Sequence, residues 1–361
     1  MVMVQMALES PTDHRQVERF CQEILPQVSR TFALSIRFLP GNLGRAVLCG
    51  YLLARIADTI EDDPIATTDT KIRLLEKFLV CFDDSICADA FPNAVNGLEG
   101  EPAHLSLVEN TNLVFALFRS LPTKSQQTLQ HWITEMVQGM QKFVKLHAHG
   151  IRIQTLEEYQ EYCYYVAGTV GYLLTDLWYE HSPSVDFETY HTLRQTCAAF
   201  GEGLQTVNIL KDIAWDAEHE NSIYIPQAAL QAHGSSHATL LHPDFLAQNH
   251  QAIKSLVKLA WSDLDKAAKY LMLVPRAAIP IRLFCILPLV FAYATLRDIT
   301  GSTAMLKSGG NIKISRAEVK SLIMVGPFTV LSNFTIRRLI DQVRQQPFLW
   351  GKKSNAFKKV A

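Results

Sequence analysis

The chain has 361 residues, 48% of them hydrophobic and 19% charged, proportions that belong to a protein with a large core and exclude a disordered chain. Its 34 Lys and Arg against 35 Asp and Glu leave a net charge of −1, which removes any global electrostatic case for nucleic acid as a partner. Seven cysteines, at 21, 49, 81, 87, 163, 197 and 285, form no CxxC pair, so they read as free thiols in a reducing compartment rather than a disulfide framework.

The opening MVMVQMALESPTDHR has no basic segment followed by a sustained apolar core, so no signal peptide is expected and the cytoplasm is the expected location. Apolar periodicity predicts helices almost throughout. His14 to Leu25 is amphipathic and is interrupted at Pro26; Ser29 to Phe38 follows, up to Pro40-Gly41. Asn42 to Glu61 is a long helix closed by Asp62-Asp63-Pro64, because the residue before a proline is biased out of the helical region. Thr68 to Cys87 is amphipathic, and Ala88 to Pro102 reads as a loop. Leu105 to Leu121 and Lys124 to Lys145 form a hairpin broken at Pro122.

Thr155 to Glu180 is a long apolar helix or a bent pair. Gly168 and Gly171 inside it each disfavour helix by about 1 kcal/mol relative to alanine, so they signal close packing or a kink. Phe187 to Trp215 ends in a polar turn, Asp216–Asn221, and Phe245 to Leu273, Ile279 to Thr300 and Ser315 to Gln346 complete the set. The run from Ala277 to Leu296 reaches the roughly 20 residues that span a bilayer. It contains Pro280, Arg282 and Pro288 and is read as a buried core helix. No repeat or linker divides the chain, so one all-helical domain over 1–345 is expected, followed by a mobile basic tail over 346–361.

Two helices carry polar stripes in apolar surroundings. In YLLARIADTIEDD, Tyr51, Arg55, Asp58 and Asp62 share one helical face, with Glu61 at its edge. In QTVNILKDIAWD, Gln205, Asn208, Asp212 and Asp216 do the same. Buried carboxylates are costly unless neutralised, so the two stripes are expected to face each other across divalent cations. Magnesium favours one or two carboxylates plus substrate phosphates, and Arg55 and Lys211 stand beside the acids, which fits a metal-held diphosphate. A di-iron bundle would need two Glu-x-x-His pairs; Glu188 to His191 is one such spacing and lies outside both stripes. His147 and His149 read as a polar helix end.

These segments resemble the squalene and phytoene synthase family of head-to-head isoprenoid synthases. VSRTF at Val28 to Phe32 resembles its first substrate-binding segment, the two acidic stripes its two aspartate-rich motifs, and YCYYVAGTVG at Tyr162 to Gly171 its tyrosine motif. NIKISR at Asn311 to Arg316 resembles a basic segment near the reductive site. The resemblance implies a single-domain α-helical isoprenoid synthase bundle around a central apolar cavity. It implies condensation of two farnesyl diphosphates to presqualene diphosphate, then NADPH-dependent rearrangement to squalene. In that scheme Asp58, Glu61, Asp62, Asp212 and Asp216 bind Mg2+, for which Mn2+ can substitute. Ser29, Arg30, Thr31, Phe32, Tyr51, Arg55, Gln205, Asn208 and Lys211 bind substrate; Tyr162 is the acid/base, and Lys313 and Arg316 contact NADPH.

Two departures from the family pattern bear on the second diphosphate. Lys211 replaces the usual arginine, losing the bidentate fork, and Ser222 replaces the basic residue usual before the Tyr224-Ile225-Pro226 turn. The alternatives are a non-reductive relative that releases presqualene diphosphate, dehydrosqualene or phytoene, and, more remotely, a non-catalytic scaffold on the same fold. A monomer is expected. Amphiphilic substrates and the tail FLWGKKSNAFKKVA suggest peripheral contact with a membrane.

Overall fold

The structure, a computed structural model, describes residues 14–350; the side chain of Arg30 lies outside the described residues. It is all helical apart from one isolated parallel pairing of Arg152 with Ile223.

Helix α1 (His14–Val28) runs on through Pro26, where a break was expected. The proline sits in the last turn, and Ser29 N–H still donates to Leu25 O at 2.8 Å, so only one rung is lost. Ser29 then caps α2 (Arg30–Ile36), and α3 (Gly41–Glu61) carries the first stripe. The predicted helix from Thr68 to Cys87 is two helices, α4 (Thr68–Val80) and α5 (Ser85–Ala94). Asp84 starts the second by accepting from the N–H groups of Ile86 and Cys87, so much of the expected loop is helix. Helices α6 (Pro102–Val108) and α7 (Thr111–Arg119) divide another predicted element, and α8 (Thr123–Leu146) follows.

The glycine-bearing segment is α9 (Leu156–Cys163), a π turn at Tyr164–Gly168, and α10 (Thr169–His181). Next come α11 (Phe187–Arg194) and α12 (Cys197–His219), the latter extending through Asp216, where a turn was expected. The rest comprises α13 (Gln227–Gln231), α14 (Leu246–Ala252), α15 (Lys254–Leu273), α16 (Ile279–Thr300), α17 (Arg316–Thr329) and α18 (Asn333–Gln345).

Close backbone approach holds α12 against its neighbours. A Cβ on Gly201 would stand 1.9 Å from Ala167 O, and one on Gly171 would stand 2.1 Å from Cys197 O. No larger residue fits either place without moving a backbone; the Gly201 crossing falls within the π turn, at Ala167, and the Gly171 crossing just beyond it in α10. On its other side α12 packs along α15, with Gly203 at their contact. Helix α16 is long and apolar enough to cross a membrane, yet most of its length is buried among α2, α12, α15, α17 and α18. The cysteines of the described residues are free.

Part of the predicted tail packs on the body of the protein. Phe348 is buried, and its N–H donates to Glu318 Oε1 at 2.8 Å. Residues from 351 onward, with Lys352, Lys353, Lys358 and Lys359, lie outside the described residues.

Candidate active site

Helices α3 and α12 turn their polar stripes toward one cavity of about 400 Å³. Its lining includes Tyr51, Arg55, Asp58 and Asp62 from α3, and Gln205, Asn208, Lys211, Asp212 and Asp216 from α12. Tyr162 comes from α9, and Phe32 from α2. The rest of the wall is largely apolar, with Ile36, Ile133, Leu174, Phe200 and Phe284 among it. A charged region in an otherwise apolar chamber suits a ligand with an anionic head and a hydrocarbon body.

The cations are already engaged with the acids. Arg55 Nη1 donates to Asp58 Oδ2 at 2.6 Å, Arg55 Nη2 donates to Tyr51 Oη at 3.3 Å, and Lys211 pairs with Asp212. Burial works against the Arg55 charge, but Tyr51, Asp58 and Asp62 outweigh it and hold the guanidinium above its ordinary range. Burial, then the charges of Glu220 and Asp58, pushes the Asp62 carboxyl well above the usual carboxylate range. Burial and the neighbouring Asp212 and Asp62 push Asp216 up to about 8. Tyr162 is buried; its hydroxyl lies 3.3 Å from that of Tyr224, and burial beside Glu61 raises its pKa well above normal.

Several expected residues stand elsewhere. Glu61 does not face the main cavity; it is rotated about 100° from Asp62 on α3. It lines a separate polar cavity of about 230 Å³ with Lys71, His147 and Glu220. Both of its carboxyl oxygens are buried without a hydrogen-bond partner, and burial with Asp62 and Asp58 holds its pKa well above normal. Ser29 spends its hydroxyl on the α2 cap, accepting from Phe32 N–H at 3.2 Å, and neither Ser29 nor Thr31 lines the cavity. Lys313 and Arg316 are exposed, just before and at the start of α17, and do not line it either. Asp63, the last acid of the first motif, is structural: it accepts from Ile65 N–H at 2.9 Å and Glu99 N–H at 2.7 Å.

Two polar lining residues were not anticipated. Glu220 borders both cavities, and burial followed by Asp216 and Asp58 pushes it up to about 8. Its spacing of four from Asp216 continues the second stripe, and the expected early end of α12 hid it. Tyr224 was read only as part of a turn.

Among the described residues no three acid, imidazole or thiolate groups form a ready-made metal cage. The acids nevertheless fit a magnesium ion that keeps part of its water and leans on substrate oxygens, because Asp58, Asp62, Asp212, Asp216 and Glu220 bring hard carboxylate oxygens to one cavity, where burial and their mutual repulsion disfavour the charge of three of them. A thermal consequence follows. Ordinary Asp and Glu side chains titrate near 4. The native protein therefore holds protons on Asp216 and Glu220 up to about pH 8 that the unfolded chain has already lost. Between those limits this group lowers stability as pH rises. In chelator the melting temperature should lose this contribution from about pH 5 to about pH 8, and magnesium should raise it more at the higher pH. Equal shifts at both values, in a thermal melt series, would contradict a cation site among these acids.

Residues 25–318 match the protein family described as squalene/phytoene synthase. Among similar relatives, the squalene synthase of Schizosaccharomyces pombe is 28% identical over 308 residues, covering 85% of this chain and 64% of the relative. Squalene synthase 1 of Arabidopsis thaliana is 26% identical over 279 residues, covering 77% of this chain and 64% of the relative. This chain thus spans slightly under two thirds of their length. The structure of TcSQS with the ligand BPH1237 superposes with a TM-score of 0.77 at 22% identity, covering 91% of this chain and 98% of that one. Squalene synthase HpnC from Alicyclobacillus acidocaldarius gives 0.56 at 19% identity, covering 81% and 97%. The fold is that of these isoprenoid synthases.

Proposed function

The chain belongs to the squalene/phytoene synthase family, and from that premise we propose that it joins two farnesyl diphosphates head to head and reduces the product to squalene. The observation that carries the proposal is the convergence of α3 and α12 on one cavity whose remaining wall is mainly apolar.

Asp58, Asp62, Asp212 and Asp216, with Glu220 beside them, would hold magnesium in this reading. When bound, the metal neutralises the leaving diphosphate of an allylic substrate. Arg55 and Lys211 add charge to the same oxygens, and Tyr51 and Asn208 orient them by hydrogen bonds. The apolar wall excludes water from the carbocation, and the ring faces of Phe32 and Phe284, 6.3 Å apart, offer it electron density. Tyr162, with Tyr224 at its hydroxyl, is the acid/base where a proton leaves as the cyclopropane closes; held protonated by burial, it takes that proton as it passes its own to the released diphosphate. Lys313 and Arg316 are exposed cations at a helix start and suit the phosphates of NADPH.

One observation favours a second reading. Lys313 and Arg316 lie outside the cavity, which is consistent with release of presqualene diphosphate or dehydrosqualene without reduction. Incubation with farnesyl diphosphate and magnesium, with and without NADPH, separates the two by mass spectrometry. Squalene formed only with NADPH is the expected result, and a product that ignores NADPH assigns the chain to the non-reductive branch.

A further inference from the structure

Helix α16 begins with a buried cation that has no acid beside it. Arg282 is 0% exposed, and its guanidinium donates to Val274 O at 2.6 Å, Val330 O at 2.6 Å and Asn333 Oδ1 at 2.7 Å. Asn333 in turn donates to Met272 O at 3.0 Å. One arginine therefore ties the end of α15 to the turn between α17 and α18.

The residues beside these tie points face outward. Leu273 and Leu331 are exposed, Phe334 is 71% exposed, and on α17 Met324 and Phe328 are exposed, the latter at 81%. Trp350, 66% exposed, is fastened to the same helix by its N–H donating to Ser321 Oγ at 3.0 Å. Large aromatic and aliphatic groups held outward on a rigid base mark an interaction surface, since flexible packing cannot draw them in.

Charge identifies the partner. From Val319 to Ile340 the sequence carries Lys320, Arg337 and Arg338 and no acid, and all three cations are exposed. Arg276 is exposed in the turn before α16, and Arg337 Nε reaches Met272 Sδ at 3.1 Å, beside Leu273. The flanking Glu318 is buried in an ion pair with Arg297, leaving Asp341 as the exposed acid that follows. Beyond Trp350 the sequence adds Lys352, Lys353, Lys358 and Lys359, again with no acid. Apolar side chains that penetrate and cations at their rim are what the headgroup layer of an anionic bilayer recognises.

We infer that the α17–α18 face docks on an anionic lipid bilayer, with Phe328, Leu331, Phe334 and Trp350 entering the headgroup boundary and Lys320, Arg337 and Arg338 meeting lipid phosphates. Phe284, which lines the cavity between α3 and α12, is two residues along α16 from Arg282, so the helix that ties down the docked face also lines that cavity.

Cosedimentation of the full chain with vesicles, without substrate, tests this separately from catalysis. Vesicles of phosphatidylcholine with about 30% phosphatidylglycerol should bind it at least about tenfold more strongly than phosphatidylcholine alone. The pair Phe328→Ser and Phe334→Ser should weaken that binding at least about tenfold. The pair Arg337→Glu and Arg338→Glu should do the same with the apolar side chains intact and the melting temperature unchanged. Wild-type protein left in the supernatant, or charge-reversed protein that binds like wild type, overturns the inference. A dimer that the serine pair dissociates, with no vesicle binding, gives the face to a second copy instead.

Discussion

Asp62→Asn and Asp212→Asn are each expected to lower farnesyl diphosphate turnover by about 10²–10³-fold, the loss typical when one preorganised electrostatic group is removed from a reacting charge. The substitutions are nearly isosteric and should leave the fold intact. Asp62 is the sharper case, because burial and the neighbouring Glu220 and Asp58 already disfavour its charge. Removing that charge should raise the melting temperature in chelator near pH 8 while turnover collapses. Activity and stability moving in opposite directions separates a binding role from a structural one. A steady-state assay beside a thermal melt measures both, and unchanged turnover in both variants removes the metal-diphosphate reading.

Arg282→Met is expected to destabilise the protein by about 3–5 kcal/mol, with most of the effect outside the candidate active site. The guanidinium is fully buried without a carboxylate, and burial lowers its pKa. It is tolerated because the carbonyls it meets, Val274 O and Val330 O, lie at the C-terminal ends of α15 and α17, where the helix dipole is negative. Methionine fills similar space but donates nothing, so these carbonyls and Asn333 Oδ1 lose their donors together. Denaturant unfolding checks the loss; a change below about 1 kcal/mol would mean that water replaces the arginine without cost.

The stripes were legible because helical spacing alone places Asp58 with Asp62 and Asp212 with Asp216. Glu61 shows where spacing stops: it stands near the edge of the stripe, and only the position of the opposing helix decides whether an edge residue faces the cavity. Here α12 lies on the Asp62 side, and Glu61 turns toward Lys71 and the second cavity. Glu220 was missed because α12 was expected to end before Asp216, whereas it continues to His219. Gly168 and Gly171 pointed to close packing or a kink, and both occur: a π turn ending at Gly168, with one backbone contact inside it at Ala167 and another at Gly171 just after it. Pro26 was read as a break because proline blocks a helix interior, but in the last turn it removes only a single hydrogen bond. The membrane-length run at α16 is a core helix, which its internal arginine indicated.

If the proposed function holds, α3 and α12 form one magnesium-dependent diphosphate site rather than two independent acidic faces. Titration calorimetry with the thiolodiphosphate analogue of farnesyl diphosphate tests it most directly, in wild type, Asp62→Asn, Asp212→Asn and the double variant. Binding should require magnesium, each single variant should weaken it at least about tenfold, and the double variant should cost less than the sum of the two. Magnesium-independent binding that neither substitution changes would contradict a shared site.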